Sequence, residues 1–323
     1  MNLNWGILGT GVIAKKFAEQ LPLTTGGKLV AVGSRSIESA KTFAAQFGLR
    51  TFGSYESVLA NPEVEAVYVS LPNHMHCLWT INALRDGKHV LCEKPMASNE
   101  FEAIDMFEAA ARAKRVLIEA FMYRCHPAIR RILAMVSEGA IGEVRLIRTN
   151  FTFNRPVQEA DTRYQPAMAG GSLMDVGCYC LNFARAIVGK EPTRVHAFAH
   201  LHPSGVDEYA AGTLDFGGKT LASFTCGMTV DADRITTIGG SEGFLQIDFP
   251  WLGPGTFHLT RNGKVDEFEL PPARGLYAIE ADAFAAVVHG QAEPWITPAD
   301  TLGNMKLLDV LREQAEIWFP RQK

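Results

Sequence analysis

The sequence predicts an α/β domain with a doubly wound parallel sheet, followed by an α+β domain with a large, mostly antiparallel open sheet. The first 120 residues alternate short apolar segments with amphipathic helical patterns, which is typical of parallel βαβ units. After Phe121, alternating strands follow one another at tight turns such as Asn262-Gly263, which indicates antiparallel pairing. Because 323 residues exceed the usual size of one core, we place two domains at residues 1–121 and 122–323.

The individual elements follow from the period of the apolar residues. In the first domain the predicted strands are 3–8, 29–32, 66–71, 89–92 and 116–119, and the predicted helices are 12–21, 37–47, 74–85 and 99–113. In the second domain the predicted helices are 127–137, 173–188, 277–288 and 299–319. The predicted strands there are 143–154, 194–202, 209–216, 221–228, 235–238, 244–249, 256–260 and 265–270.

Composition excludes several classes of protein. The net charge of −4 and the pI of about 6.2 argue against a nucleic-acid binder that works by neutralising phosphates. No apolar stretch is long enough to predict a membrane span, and the N-terminus lacks the basic region of a secretory signal. The six cysteines are scattered without a metal-site spacing, so we expect buried free thiols, no bound metal and a cytoplasmic location.

A dinucleotide-binding fingerprint stands at the N-terminus. Gly9, Gly11 and Ala14 form the pattern G-x-G-x-x-A between a predicted strand and a predicted helix, as in a Rossmann fold. In that context Gly9 permits a tight turn, and Gly11 permits close approach of a pyrophosphate to the helix N-terminus. We therefore expect the cofactor to contact the segment Gly9, Thr10, Gly11, Val12 and Ile13.

The end of the second predicted strand indicates which dinucleotide is bound. An NAD site usually places Asp or Glu there, but this strand ends in Ser34 and Arg35, with no carboxylate before Glu38. Serine and arginine donate hydrogen bonds to a 2′-phosphate, whereas a carboxylate would repel it. We therefore predict NADP, with NAD as the less favoured cofactor. The alternative is that Arg35 is only a surface residue at the start of a helix and binds no cofactor.

Three further sets of residues are candidates for a site. Ligands of such sheets bind outside the carboxyl ends of the strands, where the segments 71–76 and 92–95 lie. The second of these segments contains Lys94, although a loop lysine is usually only a solvated charge. In the second domain Asp175 and Tyr179 are four apart and share a helix face, with Ser172 as a plausible cap. A buried Tyr–Asp pair, however, is often only a satisfied core contact.

Taken together, five motifs resemble the Gfo/Idh/MocA oxidoreductases. They are W-G-I-L-G-T-G-x-I-A, L-P-N-H-x-H, C-E-K-P, E-A-F-M-Y-R-x-H-P and G-G-S-L-M-D-V-G-C-Y, in the family's order and spanning both domains. The sequence is most similar to the branch that holds glucose–fructose oxidoreductase, xylose dehydrogenase and dimeric dihydrodiol dehydrogenase. That branch carries a tyrosine, here Tyr179, where inositol dehydrogenase-like members carry histidine.

The resemblance implies roles for individual residues. Lys94 and Tyr179 would form the proton-transfer pair beside the nicotinamide, and Asp175 would orient the catalytic groups. The cofactor pocket would also include Leu71, Asn73, His76 and Glu93. Weaker candidates for substrate contact are Tyr123, Arg124, His126 and Arg163. The partners implied are a small sugar or diol and a second copy of the chain, bound through the C-terminal sheet.

The predicted activity is that of a dehydrogenase acting on CH–OH donors, with a dihydrodiol as an alternative substrate. A phenol is a poor base at neutral pH, but an adjacent ammonium lowers its pKa. Two other classes stay open: a cofactor-binding sensor without turnover, and a glycosidase that uses tightly held NAD as a transient oxidant. The joint presence of Lys94, Asp175 and Tyr179 argues against the sensor, and Ser34-Arg35 argues against the glycosidase.

Overall fold

The computed structural model describes residues 2–158, 160–270 and 274–319. The chain forms two compact units, Met1–Cys125 with Arg274–Leu302, and His126–Ala273 with Gly303–Lys323. These units differ from the two continuous segments expected from the sequence, because Arg274–Leu302 joins the first unit. The fold class itself is confirmed, with a parallel sheet in one unit and a mostly antiparallel sheet in the other.

The first unit is built on a six-stranded parallel sheet. Its strands are β1 (Leu3–Leu8), β2 (Gly27–Gly33), β3 (Thr51–Gly53), β4 (Ala66–Val69), β5 (His89–Glu93) and β6 (Leu117–Ala120). They lie in the order β3-β2-β1-β4-β5-β6, and every pair is parallel. The strand order therefore reverses between β1 and β4, which is where such sheets bind ligands.

Helices connect these strands. They are α1 (Val12–Gln20), α2 (Ile37–Phe47), α3 (Tyr55–Leu59), α4 (His76–Arg85) and α5 (Glu100–Ala113). The sequence prediction found four of them but missed β3 and α3, which are too short to show a clear apolar period. Complete burial of β4 and β6 and nearly complete burial of β1 explain why these strands appear in the sequence as mostly apolar segments.

The second unit contains an eight-stranded sheet. Its strands are β7 (Val144–Thr152), β8 (Arg194–Leu201), β9 (Asp207–Asp215), β10 (Leu221–Gly227), β11 (Ile235–Gly240), β12 (Gly243–Asp248), β13 (Thr256–Arg261) and β14 (Lys264–Glu269). Their order is β14-β13-β12-β11-β7-β10-β9-β8. All described neighbours are antiparallel except β7 and β10, whose parallel pairing the sequence did not indicate.

Four helices complete the chain. They are α6 (Pro127–Ser137), α7 (Cys178–Val188), α8 (Leu276–Val288) and α9 (Pro298–Gln314). Helix α9 ends at Gln314, so the prediction that it runs to Phe319 was wrong. The predicted helix 173–188 begins with a π-helical turn, Leu173–Gly177, and continues as α7. Such turns are rare and often lie at functional sites.

Helix α8 belongs to the first unit because its buried face packs on that unit's aromatic core. Phe284 lies 5.2 Å from Trp5 of β1 between ring centroids, and Tyr277 contacts the edge of Phe17 on α1. The side-chain oxygen of Gln20 accepts a hydrogen bond from the Tyr277 N–H at 2.9 Å. A linear sequence shows the apolar face of such a helix but not the partner that covers it.

Candidate active site

The turn after β1 has the geometry that the fingerprint predicts. Gly9 adopts a φ of +111°, and its N–H donates to the Gly33 carbonyl at 2.9 Å. A Cβ at Gly9 would lie 2.7 Å from the carbonyl oxygen of Ser70, so only glycine fits between the ends of β1, β2 and β4. Ala14 is fully buried, as expected for close packing of α1 on the sheet.

The N-terminus of α1 is open and free of negative charge. A Cβ at Gly11 would meet no atom within 4 Å, and Val12 is 71% exposed. The first turn of α1 contains no acidic residue. Backbone N–H groups at a helix N-terminus bind phosphate, and an acid there would oppose it. The segment Gly9–Ile13 therefore fits the pyrophosphate of a dinucleotide.

The end of β2 fits a 2′-phosphate. The hydroxyl of Ser34 lies 3.4 Å from that of Thr10, and the Arg35 side chain is exposed. Ser36, and not Arg35, caps α2, since its hydroxyl accepts the Ser39 N–H at 3.3 Å. Burial and the charge of Arg35 lower the pKa of His74, so the imidazole stays neutral beside the guanidinium.

His76 joins the loops that follow β4 and β5. Its Nδ1 lies 3.0 Å from the Pro95 carbonyl, and its Nε2 lies 2.7 Å from the Leu71 carbonyl. The two carbonyls favour the charged ring, but complete burial outweighs them and lowers the pKa of His76 to about 4. A neutral imidazole donates only one proton, and the shorter contact favours Leu71 as its acceptor. His76 therefore holds the two predicted cofactor loops together.

Two glutamates fix the loop that carries Lys94. The Tyr68 hydroxyl donates to Glu93 Oε1, and Glu93 Oε2 accepts the Lys94 N–H at 3.2 Å. Glu119, which is fully buried, accepts the Met96 N–H at 2.9 Å through Oε1. Lys94 itself is half-buried. The backbone around the predicted catalytic lysine is thus held from both sides by carboxylates.

A buried acid lies behind Glu93. Glu280 of α8 is fully buried, and in the described part of the chain neither of its carboxyl oxygens has a hydrogen-bond partner. Burial, and after it the charge of Glu93, raise the pKa of Glu280 well above its usual range. Burial and the same two carboxyls also raise the pKa of Tyr277. Burial and the charge of Glu93 therefore both favour the protonated, neutral form of Glu280.

Three of the weaker substrate candidates have structural partners. Arg124 forms an ion pair with Asp300 at 3.2 Å and donates to the Trp295 carbonyl. Tyr123 is fully buried, with its ring edge-on to Phe121. His126, in the second unit, caps α6, because its Nδ1 accepts the Ala128 N–H at 3.2 Å. Their contact with a substrate stays a prediction.

In the second unit Asp175 is held by an arginine. Arg163 Nε donates to Asp175 Oδ2 at 2.6 Å, and Arg163 Nη1 lies 3.1 Å from Asp161 Oδ2. The charge of Asp175 is the largest cause that raises the pKa of Arg163. Arg163 was predicted only as a substrate candidate, but the structure brings it to the predicted catalytic carboxylate.

Tyr179 lies in the first turn of α7 and is 5% exposed. Its ring contacts Phe151 at 5.3 Å and Trp251 at 5.8 Å between centroids, both in edge-on geometry. Because aromatic rings on two sides limit its rotation, the direction of the phenol is set by packing. Lys94 lies in the first unit and Tyr179 in the second. Their action as a pair stays a prediction.

The expected role of Ser172 as a helix cap was wrong. Its hydroxyl caps no N–H of the π-helical turn but donates to Asp207 Oδ2 at 2.6 Å. The same oxygen of Asp207 accepts the Leu173 N–H, also at 2.6 Å. Sequence analysis missed Asp207, Glu119 and Glu280. Only Glu119 carried a signal, since it is the last residue of the predicted strand 116–119, whose carboxyl end lies on the side of the predicted site.

The described residues reveal no metal site and no membrane span. Among them, no three His, Cys, Asp or Glu side chains are grouped so that they could hold a metal ion. No helix in the same part of the chain is long and apolar enough to cross a membrane. All six cysteines are free, and only Cys77 is not fully buried, which agrees with the expected buried thiols.

Comparison with known proteins shows which family and which relatives the chain is similar to. Residues 3–121 match the model of an oxidoreductase family with an NAD-binding Rossmann fold, and residues 129–246 match the GFO/IDH/MocA C-terminal domain. The chain is 32% identical to trans-1,2-dihydrobenzene-1,2-diol dehydrogenase from Sus scrofa over 338 residues, which cover 100% of both proteins. It is also 32% identical to D-xylose 1-dehydrogenase (NADP(+)) 2 from Haloferax volcanii, over 97% of each chain.

Among solved structures, the chain is similar to KijD10, a 3-ketoreductase from Actinomadura kijaniata in complex with NADP and TDP-benzene. The TM-score is 0.90 at 30% sequence identity, covering 97% of this chain and 98% of the other. The two family models together cover more than half of the 323 residues. The chain therefore belongs to the Gfo/Idh/MocA oxidoreductase family, and it is an enzyme built on an NAD(P)-binding Rossmann domain.

Proposed function

We propose that this enzyme is an NADP-dependent dehydrogenase that transfers hydride between a secondary alcohol of a sugar or cyclic diol and the nicotinamide. The observation that carries the proposal is the glycine turn at α1 combined with Ser34 and Arg35 at the end of β2. Relatives support the cofactor, since one is named as an NADP(+) enzyme and one was crystallised with NADP. They also support the substrate class, since they act on xylose and on a dihydrodiol by name.

The residues that would hold NADP follow from the geometry above. The N–H groups at the start of α1 would bind the pyrophosphate, and Ser34 and Arg35 would bind the 2′-phosphate. Leu71, Asn73, His76 and Glu93 would line the nicotinamide end, with His76 holding both loops. When bound, NADP supplies the site that accepts or returns a hydride. This division leaves proton transfer to the protein.

We assign proton transfer to Tyr179 and Lys94. In oxidation, Tyr179 Oη would take the proton of the substrate hydroxyl, while bound NADP+ would supply the acceptor for the hydride that leaves carbon. The Lys94 ammonium stabilises the phenolate that this requires, and in reduction the same phenol returns the proton to the oxygen. Asp175, fixed by Arg163, orients the helix turn that precedes Tyr179. In each direction the proton that leaves one oxygen is taken up by the other, so the number of atoms and the total charge are conserved.

A panel of aldoses, deoxy sugars and trans-dihydrodiols, each assayed for NADP+ reduction by absorbance, tests this proposal. We expect turnover with at least one secondary alcohol and a preference for NADP+ over NAD+. Tight NADPH binding without turnover of any substrate would instead support a sensor. Cleavage of a glycoside without net change of absorbance would support the glycosidase.

We further propose that a second copy of this chain covers the outer face of the eight-stranded sheet. The strand register places six large, exposed apolar side chains on that face. They are Leu146, Phe198, Tyr209, Leu221, Phe244 and Val265. An exposed apolar surface of this kind usually binds a partner. A sheet face with exposed apolar side chains suits a two-fold dimer, in which the same surface of each copy forms the interface. Phe198 is 74% exposed in one chain. Phe198→Glu should yield a monomer in light scattering, whereas Val12→Thr, on the other unit, should leave the dimer intact.

A further inference from the structure

The start of the turn that carries Asp175 is fixed by a residue 34 positions later in the sequence. Asp207, the first residue of β9, is fully buried. Its Oδ2 accepts two hydrogen bonds of 2.6 Å, one from the Ser172 hydroxyl and one from the Leu173 N–H. Since Leu173 begins the π-helical turn, Asp207 supplies the acceptor that an N-cap side chain normally provides.

The backbone before this turn is shaped to receive the carboxylate. Gly171 adopts a φ of +106°, and a Cβ there would lie 2.1 Å from Asp207 Oδ1. The Gly171 carbonyl accepts the Asp175 N–H at 2.9 Å, and its N–H donates to the Arg163 carbonyl at 2.8 Å. Asp207, Gly171, Arg163 and Asp175 are thus linked by consecutive contacts. Displacing the carboxylate would shift the residue that orients Asp175.

We propose that Asp207 is a positioning residue of the reaction: by accepting bonds from Ser172 and Leu173 it sets the start of the π-helical turn and so the placement of Asp175 and Tyr179. The inference rests on the proposed function of these two residues. The positioning role belongs to the acceptor oxygen Oδ2 of Asp207 and not to the negative charge of its carboxylate. Oδ2 makes both bonds, whereas Oδ1 has no hydrogen-bond partner in the described part of the chain.

The electrostatic surroundings agree with an acceptor role. Burial raises the pKa of Asp207 to about 6, opposed by the bonds from Ser172 and Leu173 and by the charge of Arg312 on α9. A further titratable neighbour is Cys226 of β10, whose buried thiol has a raised pKa and stays neutral. A proton on the unpartnered Oδ1 leaves Oδ2 free to accept, so an amide of the same shape can replace the carboxylate.

The test compares Asp207→Asn, which keeps an acceptor at Oδ2, with Asp207→Ala, which removes it. Three quantities are measured for each full-length variant: kcat and KM with the best alcohol, the NADPH dissociation constant, and amide hydrogen exchange in the peptides that cover 172–179. We expect Asp207→Asn to stay within about threefold of the natural enzyme. We expect Asp207→Ala to lower kcat at least about tenfold, with faster exchange in 172–179 and unchanged NADPH affinity.

Two glycine variants test the same inference independently if the Asp207→Ala variant does not fold. Gly171→Ala keeps the carboxylate but pushes it away, so it should reproduce the loss of kcat and of exchange protection. Gly189→Ala is the matched control. Gly189 also has a positive φ, of 72°, and caps the C-terminus of α7, but a Cβ there would meet no atom within 4 Å. The control should leave both measurements unchanged.

Three results would overturn the inference: normal exchange in 172–179 for Asp207→Ala and Gly171→Ala, equal damage by Asn and Ala, or a parallel loss of NADPH affinity. Equal damage by Asn and Ala would assign the role to the charge. The exchange measurement does not depend on turnover. If the natural enzyme oxidised no sugar or diol, the proposed function would fail while the role of Asp207 would still be decided by exchange.

Discussion

Each unit contains a carboxyl group that avoids an uncompensated negative charge, Glu280 in the first unit and Asp175 in the second. The two groups avoid it in opposite ways. In the first unit, Glu280 is buried with no cation among the groups that shift its pKa, so its surroundings favour the protonated form. In the second unit, Asp175 is partly exposed and receives Arg163 Nε at 2.6 Å, so it keeps its charge. The comparison shows that residue type alone does not decide charge. The neighbours brought by the fold decide it.

The difference predicts where substitutions will be felt. A neutral acid can be exchanged for an amide, because no charge is lost. An ion pair cannot be opened without leaving a charge that lacks its partner. Opening the ion pair of Asp175 should therefore lower turnover, whereas replacing Glu280 should change the pH dependence of stability.

The largest expected effect is on the proton-transfer pair. Lys94→Ala and Tyr179→Phe should each lower kcat by about two to four orders of magnitude, because each removes one half of a general acid–base unit. Tyr179→Phe should leave NADPH affinity unchanged, which is measured by fluorescence titration. Trp251→Phe keeps the phenol but weakens the packing on its ring and removes the Nε1–H donor to the Asn150 carbonyl, so it should lower kcat less than Tyr179→Phe does. Near-normal turnover of Tyr179→Phe would refute the assignment.

Opening the ion pair in the second unit should have the next largest effect. Arg163→Met should lower kcat about ten- to hundredfold, since Asp175 and Asp161 would lose the guanidinium that joins them. Arg163→Lys should recover only part of this loss, because an ammonium lacks the fork geometry. Steady-state kinetics at saturating NADP+ measure the change in kcat for both variants. If Arg163 instead contacted the substrate, KM would rise while kcat stayed constant.

The cofactor end of the first unit should show a smaller, selective effect. Arg35→Ala should raise the KM for NADP+ about tenfold and leave that for NAD+ nearly unchanged, because only NADP carries the 2′-phosphate. Arg50→Ala, on the loop after α2, is a control for the general loss of positive charge. Equal losses with both cofactors, or a natural preference for NAD+, would contradict the NADP assignment.

The smallest effect concerns the neutral acid. Because the folded-state pKa of Glu280 is raised above 4.5, its contribution to stability is complete below that pH and is lost as pH rises towards the folded-state value. Glu280→Gln should therefore make the free energy of unfolding less dependent on pH above about pH 5, and kcat should stay within about twofold. Denaturant melts between pH 5 and 9 measure this. A Gln variant as pH-dependent as the natural chain would show that Glu280 is already ionised.

Local features of the site were predictable from the sequence. The turn at Gly9 and Gly11 depends on backbone conformation, and the end of β2 depends on the residues that follow one strand. The same holds for α6, whose observed bounds Pro127–Ser137 equal the predicted ones, since proline marks its first turn. Short elements such as β3 and α3 escaped prediction because three to five residues are too few to show an apolar pattern that repeats.

The sequence by itself therefore determined the fold class, the dinucleotide fingerprint and the chemical types of the candidate residues, since these follow from neighbours within about one element. Only the tertiary structure decided the parallel pairing of β7 with β10, the place of α8 against Trp5, the burial of Glu280, and the partners of Asp175 and Leu173. Each of these depends on side chains distant in sequence meeting in a packed interior. An apolar period shows which face is buried but not what covers it.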